Sequence, residues 1–225
     1  MKINTIKLQQ ALPRVFVGAE NDSHVHVSEV WLRDLTLTRP GHYLVEAESG
    51  TGKSSLCSFI YGNRRDYIGR IFFNDTDIST LSIKQWCEIR RTSLAILPQE
   101  MKLFPELTAL ENIMIKNRLT NHYKEDYIMS LLERLEIPDK AHQPARRLSV
   151  GQQQRVAIIR ALCQPFDFII LDEPVSHLDS RNNLTVARLI AETAAANHAG
   201  IITTSVGNAL SLDEIDDVKP THIKL

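Results

Sequence analysis

The sequence predicts an α/β protein with a parallel-sheet core, an amino-terminal antiparallel β-rich part and an inserted helical part. Three observations carry this reading. In the last third of the chain, apolar strands alternate with helical periods, the pattern of a parallel sheet covered on both faces. A buried strand at Tyr43-Leu44-Val45 runs straight into a glycine-bearing turn and then a helix. Between these regions the apolar residues follow a helical period. With 225 residues the chain is expected to form one domain. Its β-rich part spans about 1–46, its core 47–100 and 164–225, and its helical part 101–163.

In chain order, residues 1–46 alternate apolar and polar positions. Val25, Val27 and Val30 to Leu32, then Leu35 and Leu37, predict short antiparallel strands broken at Asn21-Asp22-Ser23 and Pro40-Gly41. Ser54 to Tyr61 reads as a helix stopped by Gly62-Asn63. Ile128, Leu131, Leu132 and Leu135 share one helix face, and Pro138 marks its end. Residues 150–163 form another helix, with Val156, Ile159 and Cys163 in phase. Phe168 to Leu171 is a buried strand. A helix through Val186, Leu189, Ile190 and Thr193 follows, closed by Gly200 before the strand Ile201-Ile202-Thr203.

Composition narrows the function. Hydrophobic residues make up 43% and charged residues 24%, the mixture of a folded globular chain. A net charge of −1 without long runs of either sign gives no reason to expect a nucleic-acid surface. No stretch reaches the roughly 18 apolar residues of a membrane span, and Met1-Lys2-Ile3-Asn4-Thr5 lacks the apolar core of a secretion signal. Cys57, Cys87 and Cys163 fit a reduced, cytoplasmic compartment, each thiol a small core filler, and Cys57 behind the phosphate-binding loop is expected in the core rather than reactive.

Two motifs bear chemistry on their own residues. Ala47-Glu48-Ser49-Gly50-Thr51-Gly52-Lys53-Ser54 matches a phosphate-binding loop between a strand and a helix. Gly50 and Gly52 let successive N–H groups curl toward phosphate oxygens, Lys53 supplies a point charge and Ser54 a hydroxyl for magnesium. Ala47 stands where the pattern has its first glycine. A glycine turn before an ordinary helix would carry similar residues, so the other motifs decide. The second motif, Phe168-Ile169-Ile170-Leu171-Asp172-Glu173-Pro174, sets two carboxylates at the carboxyl edge of a buried strand, where parallel sheets place ligands. Asp172 can hold magnesium, and Glu173 can polarise an attacking water.

Leu148-Ser149-Val150-Gly151-Gln152-Gln153-Gln154-Arg155 then resembles the LSGGQ signature of the ATP-binding cassette (ABC) ATPases. The motif order is also similar to that family: phosphate loop, Gln99 in Leu97-Pro98-Gln99, signature, carboxylate strand, and a D-loop at Ser176-His177-Leu178-Asp179. The resemblance runs from about Leu35 to Leu225 and implies the P-loop NTPase fold. Arg90-Arg91, Phe104 to Asn112 and Gly151 to Arg155 look most like the lipoprotein-releasing, macrolide-export and cell-division branch.

The resemblance implies an ATPase subunit of a transporter that works with ATP and Mg2+. Two copies would pack head to tail around two nucleotides and drive a separate transmembrane permease subunit at the inner face of the cell membrane. By matching motif positions, it implies that ATP is held by Ser49, Gly50, Thr51, Gly52, Lys53, Ser54, Ser55, Ser149, Gly151, Gln152, Asp179 and Ser205. Ser54, Gln99 and Asp172 would hold the metal, and Glu173 with Gln99 would act on the water. Ser149 also reads as an ordinary helix N-cap. Phe104, Pro105 and Leu107 are candidates for a groove that receives a short helix of the permease, against the alternative of a self-packed helical part.

Two family features are missing. Ser205 stands at the position of a histidine that follows the last buried strand, and serine has a shorter reach and does not titrate near neutral pH. Slow or partner-dependent hydrolysis is the expectation, with an ATP-gated clamp as the alternative function. The aromatic that stacks on adenine is also absent, which leaves His24 or His26 in a His-Val-His strand, since Trp31 lies too close to the phosphate loop. His177 is a weaker candidate to replace the lost histidine across a dimer seam, and Val150 replaces the first signature glycine.

Overall fold

Strands from the first third of the chain supply two sheets at once. A computed structural model describes residues 1–19 and 23–225. In order, the elements are β1 (Thr5–Pro13), α1 (Ser23–His26), β2 (Asp34–Thr38), β3 (His42–Glu46), α2 (Lys53–Ile60), β4 (Tyr67–Phe73), β5 (Thr76–Asp77) and α3 (Ile83–Thr92). There follow β6 (Leu94–Leu97), α4 (Ala109–Asn117), α5 (Glu125–Arg134), α6 (Val150–Leu162), β7 (Phe168–Asp172), α7 (Ser180–Asn197), β8 (Gly200–Ser205) and β9 (Thr221–Lys224). Among the described residues, one sheet is antiparallel in the order β2-β1-β4-β5 and the other runs β6-β7-β8-β3-β9, with every pair in it parallel.

The pairing places β4 and β5 with β1 and β2, so residues 67–77 belong to the antiparallel sheet. β3, inside the 1–46 span, belongs to the parallel one. Apolar residues of β1 meet apolar partners in register: Ile6 faces Leu37 on one side and Phe73 on the other. The β1–β4 register shifts between Gln9 and Leu12. Gly69 sits at that bulge with φ +81°, and a side chain there would come within 2.2 Å of the Gln10 carbonyl.

The parallel strands are buried on both faces and sort their side chains by the two-residue period. Phe168 and Ile170 of β7 and Ile202 of β8 enter a core shared with the antiparallel sheet, α2 and α3. Ile169 and Leu171 of β7 and Ile201 of β8 enter a second core built with α4, α5, α6 and α7. Helix starts follow their sequence signals. Ser82 with Gln85, Thr108 with Glu111, and Ser149 with Gln152 each form a reciprocal capping box.

Two expectations about local structure are corrected. Val25 to Leu32 form no strand: Ser23–His26 is a helical turn, and the Ser28 hydroxyl accepts from the N–H groups of Val30 (3.0 Å) and Trp31 (2.8 Å), which holds a turn. Val25, Val30 and Trp31 are buried all the same, so their apolar character marked the core rather than a strand. Asn21 and Asp22, and the side chains of Ser23 and His24, lie outside the described residues. The α7 stop is His198, at φ +50°, and not Gly200. Gly200 opens β8 because a side chain there would strike the Phe168 ring at 2.4 Å.

One buried carboxylate fastens three segments. Asp167, just before β7, accepts from the Ile3 N–H at 2.8 Å and from Arg39 Nη1 at 2.6 Å, with both partners of the ion pair largely out of water. Removing it strands a guanidinium and an amide. Asp167→Ala is therefore expected to cost about 3 kcal/mol, read as a thermal midpoint lowered by about 10 °C.

A second group makes stability depend on pH. Lys116 on α4 donates to the Arg90 carbonyl at 3.1 Å, and burial, with Arg160 and Arg90 nearby, lowers its pKa to about 8. Between about 8 and the ordinary value near 10.5 the unfolded chain holds this proton and the folded chain does not. This lysine's penalty is thus full below pH 8 and fades as pH rises. Thermal melts of wild type and Lys116→Met at pH 7 and pH 10 should show the variant's relative gain shrinking at the higher pH.

Candidate functional site

The site begins where β3 ends. Ala47 to Gly52 turn back on themselves, with Gly50 at φ +87° and Gly52 at φ +105°, a backbone region that side chains disfavour. Gly52 is the N-cap of α2 and makes no side-chain cap, so the helix's first N–H groups have no side chain folded over them. A side chain at Gly52 would also meet Trp31 at 3.0 Å and Phe16 at 3.3 Å. Trp31 is fully buried beneath the turn and donates its indole N–H to the Thr51 carbonyl at 3.0 Å.

Lys53, almost fully buried, folds its ammonium back into the turn. It donates to the Glu48 carbonyl at 2.8 Å and the Ala47 carbonyl at 3.4 Å, and lies 3.9 Å from a Glu173 carboxylate oxygen. The other oxygen of Glu173 accepts from Gln99 Nε2 at 3.3 Å. β6 delivers Gln99 and β7 delivers Glu173, and these strands are adjacent and parallel, so both residues emerge at the same sheet edge. Ser49, Gly50, Gly52, Lys53, Ser54, Ser55, Gln99 and Glu173 surround one cavity of about 240 Å3.

The other expected residues take different places. Asp172 is buried beside this cavity, and its Oδ1 accepts from the Thr204 hydroxyl at 2.7 Å. Thr51 and Ser205 line a separate cavity of about 720 Å3 toward β9. Ser205 is buried with its hydroxyl unpartnered among the described residues. Ser149, Gly151 and Gln152 stand at the start of α6, outside the cavity around Lys53, with Ser149 exposed. The neighbouring Val150 side chain faces solvent. Asp179 caps α7, accepting from the Asn182 N–H at 2.8 Å, and that bond holds its carboxyl below the usual range. Burial, reinforced by the Asp172 charge, pushes the Cys57 thiol well up, which suits a core filler; Cys163 is buried too, but Cys87 on α3 is exposed, so it is not the core filler expected.

Three residues at the site were missed from sequence. Phe16, half-buried, is a ring beside the phosphate turn; its only signal was an aromatic shortly after the first strand. Thr204 and Gln154 both bond to Glu173; Gln154 stands in the signature run, but nothing local ties either residue to Glu173.

A glycine turn opening a helix, a buried lysine and a strand-end carboxylate surround one cavity, an arrangement whose chemistry suits a polyphosphate. Comparison with known proteins agrees. Residues 34–176 match the profile of the family described as ABC transporter. The chain belongs to the ABC transporter family. An uncharacterised ABC transporter ATP-binding protein of Mycobacterium tuberculosis is 34% identical over 176 residues, covering 76% of this chain and 53% of that protein. The macrolide export ATP-binding/permease protein MacB of Vibrio parahaemolyticus is 31% identical over 194 residues, 84% of this chain and 30% of that one. This ABC chain thus spans about half the length of the first relative and less than a third of the second. Its fold is that of the ATP-binding cassette MJ0796, solved as a dimer in a post-hydrolysis state with ADP and Pi: TM-score 0.71, 21% identity, 89% of this chain and 87% of that one. Among the described residues no helix is long and apolar enough to cross a membrane.

Proposed function

We propose that this chain is the ATP-binding subunit of an ABC transporter, hydrolysing ATP in a head-to-tail dimer to drive a separate membrane permease. The observation that carries the proposal is the convergence of Lys53, Gln99 and Glu173 on one cavity framed by Gly50 and Gly52. The nucleotide's phosphates would sit on the N–H groups of the Gly50–Gly52 turn and the start of α2, with Ser49 and Ser55 at the rim. Lys53 would exchange its carbonyl partners for phosphate oxygens. Ser54, Gln99 and Asp172 fit a hard cation through oxygen donors, and Asp172 has only one of its two oxygens tied by a side chain. Magnesium, when bound, would neutralise charge gathering on the phosphates. Glu173 would take the proton of the attacking water while Gln99 orients that water. Phe16, beside the Gly52 turn, rather than His26 on its helical turn, would be the ring on which an adenine stacks.

The place of the signature supports a second copy. Ser149 spends its side chain and N–H on the capping box with Gln152, and neither it nor its neighbours at the helix start line this chain's own cavity. Ser149, Gly151, Gln152 and Asp179 would therefore serve a nucleotide held by a second copy. The permease surface would be the groove of about 320 Å3 that includes Pro105, Leu103 and Arg146, next to the half-exposed Phe104 and with Leu107 partly covered. The anchorage to the inner face of the membrane rests on that partner.

A specific observation favours slow turnover. Ser205 is short, buried and unpartnered where the family carries a histidine, so the site would hold the phosphate tail with one fewer reaching donor. In the limit, the subunit acts as an ATP-gated clamp.

Two variants test this reading. Glu173→Gln should cut steady-state ATP hydrolysis by about 100-fold or more while ATP-dependent dimers accumulate in size-exclusion chromatography; unchanged hydrolysis would refute Glu173 as the base. Ser205→His should raise the isolated protein's rate roughly tenfold. A rate that stays flat would remove the serine as the cause of slow turnover.

A further inference from the structure

Glu173 has a backbone that its sequence position does not explain. It follows a regular strand, is not glycine, and yet stands at φ +50°, a left-handed conformation that a glutamate adopts only when its surroundings hold it there. Both of its backbone polar atoms are held by side chains. Its N–H donates to the Thr204 hydroxyl at 3.1 Å, and its carbonyl accepts from Gln154 Nε2 at 3.3 Å and, at 3.4 Å, from the Ser176 N–H of the turn that follows.

Each of these side chains is itself fixed. Thr204 is fully buried on β8, in register with Asp172 of β7, and donates its one hydroxyl proton to Asp172 Oδ1 at 2.7 Å. A hydroxyl has one proton and two lone pairs, so this arrangement orients it completely: donor to Asp172, acceptor from Glu173. Gln154 is buried on α6, and its Oε1 accepts from the His177 N–H at 3.1 Å, which fixes the amide's direction.

We infer that Thr204 and Gln154 are positioning residues that clamp Glu173 in its left-handed backbone, aiming its carboxylate at Lys53 and Gln99. This rests on the reading of Glu173 as the general base. Thr204 aligns the two acids with one atom. Gln154 joins the signature helix and the D-loop to the same residue, so a shift of α6 is felt at the base. Without the clamp, Glu173 is free to return to an ordinary backbone and its carboxylate leaves the cavity.

The test uses the full chain, with MgATP hydrolysis and amide hydrogen exchange at Glu173 as readouts. Thr204→Val keeps the shape and removes the hydroxyl, and Gln154→Glu keeps the acceptor for His177 and removes the donor to Glu173. Each should lower kcat about 100-fold with KM for ATP moved less than about threefold, and each should speed exchange at the Glu173 amide. Thr204→Ser should stay within about threefold of wild type. Wild-type kcat in both Thr204→Val and Gln154→Glu overturns the inference, as does Thr204→Ser being as slow as Thr204→Val. If Thr204→Val shows no cooperative melt, Gln154→Glu decides alone. Hydrolysis that survives Glu173→Gln overturns the general-base reading instead, and the exchange data then decide whether the clamp exists: unchanged protection in Thr204→Val and Gln154→Glu refutes it.

Discussion

A strand buried on both faces cannot carry charge along its length. This constraint organises the molecule. β7 is apolar from Phe168 to Leu171 and lies between two cores, so its polar residues can appear only where it leaves the sheet. There Asp172 and Glu173 emerge together. β3 and β6 run parallel to it in the same sheet, and they too end at that edge, in the glycine turn and in Gln99. The cavity is a consequence of three buried strands stopping on one side. The direction of the sheet brings these three ends together, and the distant contacts of Thr204 and Gln154 then fix Glu173 among them.

How legible this was in the sequence depends on how local each cause is. The phosphate turn, the acid pair and the capped start of α6 announce themselves because a few neighbouring residues determine each: glycines permit the turn, a buried run ends in carboxylates, and a serine meets a glutamine three positions on. The same holds for β3, α2, α5 and β7. The segment at Val25 to Leu32 misled because burial alone makes valines look like strand, whereas the Ser28 hydroxyl turns the chain. The Gly200 reading failed for a related reason. A glycine near a helix end suggests a cap, but this one is required by the Phe168 ring on a strand far away in sequence. β4 and β5 joined the first sheet through pairings that no local pattern states. Phe16, Thr204 and Gln154 belong to this class too, since each matters only through a residue tens of positions away.

Capping and anion binding compete for the same groups at a helix start. At α2 the N-cap is a glycine with no side chain to fold over the free N–H groups, which leaves them for a ligand. At α6 the N-cap is Ser149, whose box with Gln152 satisfies the helix internally. The start of α2 could receive an anion without giving up a cap. That of α6 must trade an internal hydrogen bond of about 1 kcal/mol for an external one. A phosphate arriving at α6 therefore has to come with other contacts, which is consistent with a site assembled from two surfaces rather than one.

The contact between Lys53 and Glu173 adds a final constraint. At 3.9 Å, and with the lysine almost out of water, attraction to Lys53 helps draw the carboxylate toward the phosphate turn. Opposite unit charges at this separation attract by roughly 4 kcal/mol near a protein surface. Left alone, this pull would occupy the base with the ammonium. A polyphosphate in the cavity brings several negative charges to the same ammonium and competes directly with the carboxylate. Glu173 is then released from its partner but not from its backbone position, because Thr204 and Gln154 hold the main chain independently of Lys53. On the proposed reading, charge would govern when the carboxylate is free and hydrogen bonds where it points; separating the two would let one residue be both available and aimed when phosphates arrive.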